Sequence, residues 1–452
     1  MTVRDSDIFA GNADADLVVI GGGAAGMMAA SAAARAGARV LLLEKTDRCG
    51  RKLLVSGKGR CNLTNAAEID DFIAMYGSNG RFLHSAFARF FRPELLAFLR
   101  SRGLETRTER GGRIFPASGD ARAVVGLFER EMADAGVRVL CHAPVASLAP
   151  HGGGFAVESG RGRFAAPCVV LAAGGASGPE TGSAGEGFAL AAAIGHSVVR
   201  PRPALVPLVV RERALARSLG GVDLRNVRAA AFAREAVEVD GASIPARDYG
   251  RGENKKPRPP LIESRFGELG FTPFGLGGPI ILMMSLAVVD ALASGPVSLL
   301  IDLKPALSKE QLRRRLQADL DTGGRKSLRS IWADYLPLRM VDPLLELAGL
   351  DGGAPARGIG AAGRERLIGL LKALPFNVER PLPLARAIVT AGGVALDEID
   401  PRTLESRKAP GLFLAGEVID LDADTGGYNL QAAFSTGHVA GESAARRALS
   451  SR

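Results

Sequence analysis

A glycine-rich segment near the start of the chain has the residue types that bind a dinucleotide. Residues 21–26 read GGGAAG and follow the apolar run 17–20. In this spacing Gly21 allows a tight turn out of a strand, Gly23 lets the backbone approach a pyrophosphate, and Gly26 lets the following helix pack close to the sheet. The N-terminus of that helix presents free N–H groups and the positive end of its dipole. The pattern predicts a pyrophosphate-binding turn.

An acidic residue follows at the distance expected of a ribose ligand. Glu44 ends a second apolar run, 39–43, and lies eighteen residues after Gly26. A carboxylate there accepts hydrogen bonds from ribose hydroxyls, and its charge would repel a 2′-phosphate, so we expect NADP to be disfavoured. A second match to the glycine spacing, residues 358–363, follows a polar and glycine-rich segment. We interpret it as a loop leading into a helix, because no strand feeds the turn.

Residues 45–65 form a segment that is dense in glycine and cations and has neither helical nor strand periodicity. The P-loop pattern is excluded because Lys58 is followed by Gly59 and position 52 is a lysine. Such a loop can wrap an extended anionic ligand with its backbone N–H groups and basic side chains. The apolar residues 53–55 would anchor it, which argues against a merely flexible surface loop.

A second anion-compatible segment lies near the end of the sequence. Residues 411–417 read as a buried strand that ends in Glu417, and the pair Gly426–Gly427 precedes a helix of small residues. A glycine turn before a helix N-terminus favours negative charge. Two such ends on one sheet suit a long cofactor such as FAD better than a single nucleotide.

The elements that must position these residues are strands and helices in alternation. Apolar runs at 17–20, 39–43, 168–172 and 412–415 predict a parallel sheet of the α/β class. Alternating apolar and turn residues predict a β-rich insertion over 196–304, and a helical period predicts a helical insertion over 305–374, with Ser308 as an N-cap. We therefore predict a nucleotide-binding domain at 1–195 that resumes at 375–452.

Composition limits the class of protein. The net charge of +9 is explained either by solvated arginines or by attraction to the phosphates of a cofactor or nucleic acid. Four cysteines without a C-x-x-C pair predict no disulfide framework, no thioredoxin-type centre and no metal site, and Cys141 and Cys168 read as buried structural thiols. Residues 1–16 lack a secretory signal and the apolar segment 279–293 is short, so we expect a cytoplasmic protein without a membrane partner.

Several sequence blocks resemble one known family. Residues 50–65, which end in GRCNLTN, together with 181–188, 271–275 and 416–431, are similar to blocks of the bacterial BaiN/YhiN-like flavoproteins, also labelled aminoacetone oxidase-like. The resemblance spans nearly the whole chain. It implies an FAD-binding Rossmann-type domain with the two-dinucleotide-binding-fold architecture, interrupted by the insertion, with a substrate cleft between them.

The resemblance also implies which residues hold FAD. They are the ADP-binding residues Gly21, Gly23, Ala24, Ala25, Gly26 and Glu44, the basic residues Lys45, Arg51 and Lys52, the backbone contacts Val145, Ala173 and Gly174, the ribityl ligand Glu417, and Gly427, Asn429 and Leu430 at the flavin pyrimidine edge. Relatives often have His at the position of Pro273 and Ser at that of Gly277. The family's substrate is therefore not carried over directly.

We predict that Arg60, Cys61 and Asn62 lie on the substrate side of the flavin. Cys61 is a candidate proton donor, because a thiol among cations has a lowered pKa. The alternative is that Cys61 only contributes backbone to a loop that cradles the flavin.

The predicted activity is that of an FAD-dependent oxidoreductase, in which hydride moves between flavin N5 and an unsaturated organic substrate. NAD(P)H, if it is the electron donor, would bind only transiently, since no second strand-fed glycine turn exists. Related flavoproteins act on double bonds of steroid-like molecules or make dihydrouridine in ribosomal RNA. Positive charge favours RNA, whereas the scarcity of aromatic residues disfavours it. A further alternative is a non-catalytic redox sensor, and the oligomeric state stays undefined.

Overall fold

The computed structural model describes residues 15–239, 244–323 and 326–450. Most of the segment 1–16, for which we expect no secretory signal, lies outside these residues. In the part that is described, no helix is long and apolar enough to cross a membrane.

The strands of the described residues are short and mostly buried. In chain order they are β1 (Leu17–Ile20), β2 (Val40–Leu43), β3 (Thr64–Asn65), β4 (Thr106–Thr108), β5 (Arg113–Pro116), β6 (Arg138–Leu140), β7 (Val145–His151), β8 (Gly154–Ser159), β9 (Gly162–Ala166), β10 (Cys168–Leu171), β11 (Val198–Ala204), β12 (Leu208–Val210), β13 (Asp223–Phe232), β14 (Leu261–Thr272), β15 (Gly275–Gly277), β16 (Val297–Asp302), β17 (Leu374–Pro381), β18 (Val389–Val394) and β19 (Leu412–Leu414).

The α-helices alternate with these strands or follow them. They are α1 (Ala24–Arg35), α2 (Arg51–Val55), α3 (Ile69–Ala74), α4 (His84–Arg89), α5 (Arg92–Arg100), α6 (Ala121–Asp134), α7 (Glu186–Ala193), α8 (Arg213–Leu219), α9 (Pro279–Leu292), α10 (Lys309–Thr322), α11 (Leu328–Trp332), α12 (Leu338–Leu347), α13 (Ala361–Lys372) and α14 (Tyr428–Ser450).

The chain forms two compact units, of which the first contains residues up to 202 and from 384 onward. Its central sheet is parallel, with the strand order β19-β10-β1-β2-β6. The strands β1, β2 and β10 are buried along their whole length, which explains their continuous apolar sequences. The predicted Rossmann-type α/β fold class is confirmed.

Helices α1 and α14 pack against each other beside this sheet with unusually close backbones. A Cβ atom at Gly437 would lie 2.3 Å from the carbonyl oxygen of Ala25, and one at Gly441 would lie 2.2 Å from that of Ala29. Glycines four residues apart on α14 therefore form a flat face against the small residues of α1. This contact places the long C-terminal helix directly behind the glycine turn.

The second unit contains residues 203–383. Its strands form a closed barrel in the order β12-β15-β14-β13-β16-β17, and helices α8 to α13 contribute to the same hydrophobic core. The predicted N-cap at Ser308 is present, since its hydroxyl accepts a hydrogen bond from the N–H of Gln311 at 3.1 Å. The second match to the glycine spacing, residues 358–363, lies as interpreted where a loop leads into α13.

The unit boundaries fall at 203 and 384 rather than at the predicted 196 and 375. Strand β17 is hydrogen-bonded to β16 and β12 of the barrel, so the chain leaves this unit only after Pro381. Strand β11 pairs with β18 of the first unit. The two predicted insertions share one core. Cys168 is buried as expected, but Cys141 lies just past β6 and is only half-buried.

Candidate cofactor and active site

The carboxyl edge of the parallel sheet gathers the main predicted cofactor residues. Because the strands are parallel, their carboxyl ends lie at one edge. Gly21 follows β1 there, Glu44 follows β2, Ala173 follows β10 and Glu417 follows β19. With neighbouring strands about 4.8 Å apart, the ends of β2 and β19 are separated by about 14 Å. This edge is long enough for an extended ligand.

The glycine turn has one open position between two crowded ones. Gly21 has a left-handed φ of 103°, and a Cβ atom there would lie 2.5 Å from the carbonyl oxygen of Ala172. A Cβ atom at Gly26 would lie 1.8 Å from the carbonyl oxygen of Gly21, whereas one at Gly23 would meet no atom of the described residues within 4 Å. Gly21 and Gly26 therefore serve packing, and Gly23 faces the space in which we place the pyrophosphate. Ala24 and Ala25 form the first turn of α1 behind it.

The Glu44 carboxylate is fixed by the glycine turn and by Thr46. Its Oε2 accepts a hydrogen bond from the N–H of Gly22 at 2.8 Å, and its Oε1 accepts from the N–H and the hydroxyl of Thr46, each at 2.7 Å. A carboxylate has about four lone-pair positions, so at least one is left for a ligand hydroxyl.

Of the three basic residues expected along the cofactor, Lys52 alone contacts another predicted site residue. Its Nζ donates to Oε2 of Glu417 at 2.7 Å. Lys45 forms an ion pair with Glu186 at the start of α7, and Arg51 pairs at 3.3 Å with an acid of its own loop. Lys45 and Arg51 are thus paired with acids other than Glu44 and Glu417, and their cofactor role stays a prediction.

The predicted backbone contacts lie near the glycine turn. Gly21 would place a Cβ atom 3.0 Å from Cα of Ala173, and Gly174 follows directly with a φ of 75°. Val145 begins β7 two residues after Ala143, whose N–H donates to the carbonyl oxygen of Glu44 at 2.9 Å. Ala173 and Gly174 therefore lie near the end of β1, and Val145 lies near the end of β2.

The start of α14 forms the other end of the site. The Asn429 side chain is bonded to both the N–H and the carbonyl oxygen of Ala423, each at 2.9 Å, so it shapes the loop before the helix. Gly427 packs on β3, since a Cβ atom there would lie 2.3 Å from the carbonyl oxygen of Thr64. Leu430 follows in the first turn, where helix N–H groups lack intrahelical acceptors. These N–H groups can bind a polar ligand edge.

The three predicted substrate-side residues lie together in the loop before β3. Arg60 Nη1 lies 3.1 Å from both carboxylate oxygens of Glu109, and its guanidinium stacks 4.3 Å from the ring centroid of Phe115. Asn62 is half-buried and Cys61 is fully buried. The loop contains two left-handed non-glycine residues, Lys58 and Cys61, and such strain is often found at functional sites.

The expectation of a lowered thiol pKa at Cys61 is wrong. Burial raises the pKa of this thiol to about 12, against a small opposing effect of a hydrogen bond with Ser56. The nearby cation does not compensate, because Arg60 is engaged by Glu109. Cys61 is therefore a neutral thiol at physiological pH, which favours the alternative in which it contributes only backbone and packing.

Three buried side-chain oxygens near the start of α14 support a bound polar group. Asn62 Oδ1, Thr64 Oγ1 and Gln431 Oε1 have no hydrogen-bond partner among the described residues. Buried polar atoms normally find partners, so atoms of this kind beside a helix N-terminus fit the polar edge of a ligand. Together with the open face of Gly23, they show that the residues present fit FAD.

Two residues of the site were missed from the sequence. Ser177 and Thr390 contact Glu417 at 3.0 Å and 2.7 Å, but they lie 240 and 27 positions away from it and in no recognisable motif. No local pattern indicated them. Within the described residues there is also no group of three or more His, Cys, Asp or Glu side chains placed to hold a metal ion.

A parallel sheet with a strand-fed glycine turn, an acid after the second strand and a helix N-terminus opposite defines a Rossmann-type FAD-binding domain. The chain belongs to the family described as HI0933-like protein Rossmann domain, whose model matches residues 15–443. The resemblance inferred from the sequence blocks is thereby confirmed.

Two curated relatives span almost the whole chain. The 3-dehydro-bile acid delta(4,6)-reductase of Clostridium scindens is 34% identical over 411 residues, which cover 91% of this chain and 93% of the relative. The ribosomal RNA dihydrouridine synthase of Escherichia coli is 29% identical over 426 residues, which cover 93% and 96%. Family and relatives make this protein an FAD-dependent oxidoreductase of the HI0933-like type.

Among solved structures, the open conformation of a flavocytochrome c3 fumarate reductase has a similar fold. Its TM-score is 0.50 at 17% sequence identity, and the match covers 96% of this chain and 78% of that one. At this identity the likeness concerns the fold alone.

Proposed function

We propose that this protein reduces a carbon–carbon double bond of a conjugated, steroid-like ketone by hydride transfer from FAD. The observation that carries the flavin part of the proposal is the sheet edge on which Glu44 and Glu417 flank the glycine turn, opposite the start of α14. The Clostridium scindens relative supports the substrate class, since it is named as a reductase of a 3-dehydro-bile acid. When bound, FAD supplies the hydride at its N5 atom.

Different residues of the sheet edge bind different parts of FAD in this proposal. The glycine turn and Glu44 bind the ADP half through backbone N–H groups and a carboxylate. Glu417 binds the ribityl hydroxyls, and the first turn of α14 with Asn62 and Thr64 orients the flavin end. Binding at two separated ends fixes the position of the ring without a covalent bond.

Arg60 is our candidate for binding the substrate carbonyl. Its Nη1 is held by Glu109, and none of its other guanidinium nitrogens has a hydrogen-bond partner among the described residues. Stacking on Phe115 fixes the plane of the group. A guanidinium in this position can donate to a ketone oxygen and stabilise the negative charge that builds up there when hydride adds to the conjugated carbon.

The proton that completes the reduction is assigned to solvent. Cys61 is a poor donor because its pKa is raised to about 12. The sequence has Pro273 where the family resemblance implies a His. This departure is the reason to expect a substrate preference different from that of family members with the histidine.

Ribosomal RNA is the second candidate substrate, favoured by one surface feature. Lys255, Lys256 and Arg258 are exposed on the loop before β14, as phosphate contacts require. Against this, Phe266, with 45% of its area exposed, is the one exposed aromatic side chain of the described residues, and an extruded base needs stacking partners.

The two substrates are distinguished by reoxidation of the reduced enzyme. The protein is photoreduced without oxygen and mixed with a 4-en-3-one or 4,6-dien-3-one steroid, with the saturated 3-ketone as control, or with ribosomal RNA. We expect the flavin absorbance to return only with the unsaturated ketone, and Arg60→Lys to slow this step about tenfold or more, as loss of one charge-stabilising donor does. Reoxidation by RNA alone would transfer the proposal to the second candidate.

The electron donor is a separate question with its own test. Residues 21–26 are the one segment whose sequence is typical of a strand-fed glycine turn, so we propose that a nicotinamide donor binds transiently. Stopped-flow mixing with NADH and NADPH, followed by flavin bleaching, is expected to show reduction without saturation at low donor concentration. A tight, saturable phase would show a dedicated nicotinamide site instead.

A further inference from the structure

We infer that Ser177 and Thr390 are positioning residues that orient the Glu417 carboxylate toward the cofactor. These two residues, which come from distant parts of the chain, are called the brace, and we infer that FAD affinity depends on them. The inference rests on the proposed role of Glu417 as the ligand of the ribityl chain. It concerns three segments of the first unit: the turn after β10, the start of β18 and the end of β19.

Glu417 has three hydrogen-bond donors, and they leave one oxygen incompletely satisfied. Oε1 accepts from the N–H of Thr390 at 2.7 Å and from the hydroxyl of Ser177 at 3.0 Å. Among the described residues, Oε2 accepts only from Lys52 Nζ, at 2.7 Å. Since each carboxylate oxygen has about two lone-pair positions, the remaining one belongs to Oε2. The brace therefore decides in which direction Glu417 can accept a ligand hydroxyl.

Thr390 also holds the turn that carries Ser177. Its Oγ1 accepts a hydrogen bond from the N–H of Ala176 at 2.9 Å, and Ser177 Oγ in turn lies 2.9 Å from Lys52 Nζ. Both Ser177 and Thr390 are completely buried, at 0% exposure. A single threonine thus fixes the carboxylate through its N–H and the neighbouring turn through its side chain.

The close approach depends on a glycine. A Cβ atom at Gly175 would lie 2.5 Å from Thr390 Oγ1 and 2.9 Å from Cδ of Glu417. Any side chain at this position would push the threonine and the carboxylate apart. Three segments that are remote in sequence therefore meet at Glu417.

The test compares FAD with ADP, because ADP contains only the half that Glu44 and the glycine turn bind. Ser177→Ala and Thr390→Val are expected to weaken FAD binding to the apoprotein about tenfold, which equals about 1.4 kcal/mol, and to leave ADP affinity unchanged. Thr390→Ser keeps the hydroxyl and is expected to bind FAD like the wild type. Thr403→Val, outside the brace, is the matched control.

The outcomes separate this inference from the proposed role of Glu417. Glu417→Gln serves as reference: if it binds FAD like the wild type, the role of Glu417 fails and the inference with it. If Glu417→Gln weakens FAD binding but Ser177→Ala and Thr390→Val do not, the inference alone is overturned. Equal losses of FAD and ADP affinity in the two brace variants would indicate a merely structural role and would also overturn it.

Discussion

At the scale of single residues, burial decides the chemistry of the loop before β3 more than charge does. The sequence places Cys61 beside Arg60, which suggests an activated thiol, yet the structure buries the thiol and pairs the arginine with Glu109. Burial raises the pKa of Cys61 to about 12, so the thiolate is almost absent at neutral pH. Counting cations along the sequence could not reveal this, because desolvation depends on tertiary contacts.

Removal of the Cys61 thiol is therefore expected to leave catalysis intact. Cys61→Ser and Cys61→Ala should keep bound FAD and turnover within about threefold of the wild type, with a loss of stability of about 1 kcal/mol from altered packing. Steady-state kinetics and thermal unfolding of the flavin-loaded variants check this. A folded, flavin-bound Cys61→Ala protein without turnover would restore the proton-donor hypothesis.

At the scale of elements, the closeness of α1 and α14 is a strict requirement of the first unit. Gly437→Ala would force a Cβ atom against the carbonyl oxygen of Ala25, so we expect a loss of about 1–3 kcal/mol in unfolding free energy. Gly369→Ala, within α13, is the matched control, because a Cβ atom there meets no atom within 4 Å in the part of the chain that the structure describes. That control is expected to gain up to about 1 kcal/mol. Urea unfolding measures both, and equal effects would contradict the packing argument.

The buried His196 connects the segment before β11 to the segment after β18 through hydrogen bonds. His196 lies between Glu398 and Ser406, with its Nδ1 at 2.9 Å from Glu398 Oε2 and its Nε2 at 2.8 Å from Ser406 Oγ. Burial lowers the pKa of His196, although Glu398 opposes the shift and Lys408 adds to it. For Glu398, burial raises the pKa, but hydrogen bonds from Lys408, Ser197 and His196 outweigh it and lower the pKa to about 2.

These shifts predict a loss of stability in acid. The unfolded chain takes up a proton at His196 below about pH 6.5, whereas the folded protein resists it, so stability is full above this pH and falls as the pH drops. His196→Asn should flatten the dependence of unfolding free energy on pH between about 6.5 and 5, and His84→Asn, an exposed control, should not. An unchanged slope in His196→Asn would refute the assignment.

At the scale of the whole molecule, local motifs can be predicted from the sequence, whereas contacts between segments that are far apart in the chain cannot. The strand, glycine turn, helix and Glu44 lie within a few dozen residues, and each type has a physical role, so the fold class could be predicted. The brace on Glu417 could not be predicted, because Thr390 and Ala176 are 214 positions apart and the residues of the second unit come between them in the sequence. The same reason explains why the boundary predicted at 375 lies instead at 384. The sequence of β17 does not show which of the two units contains this strand.

We propose that one FAD lies along the sheet edge, with Glu44 at one end and Glu417 at the other. The most direct measurement is titration of the apoprotein with FAD and with ADP, for the wild type, Glu44→Gln and Glu417→Gln. We predict one FAD per chain, weaker binding of both ligands in Glu44→Gln, and weaker binding of FAD alone in Glu417→Gln. An apoprotein that does not bind FAD, or two variants that bind both ligands like the wild type, would contradict the account.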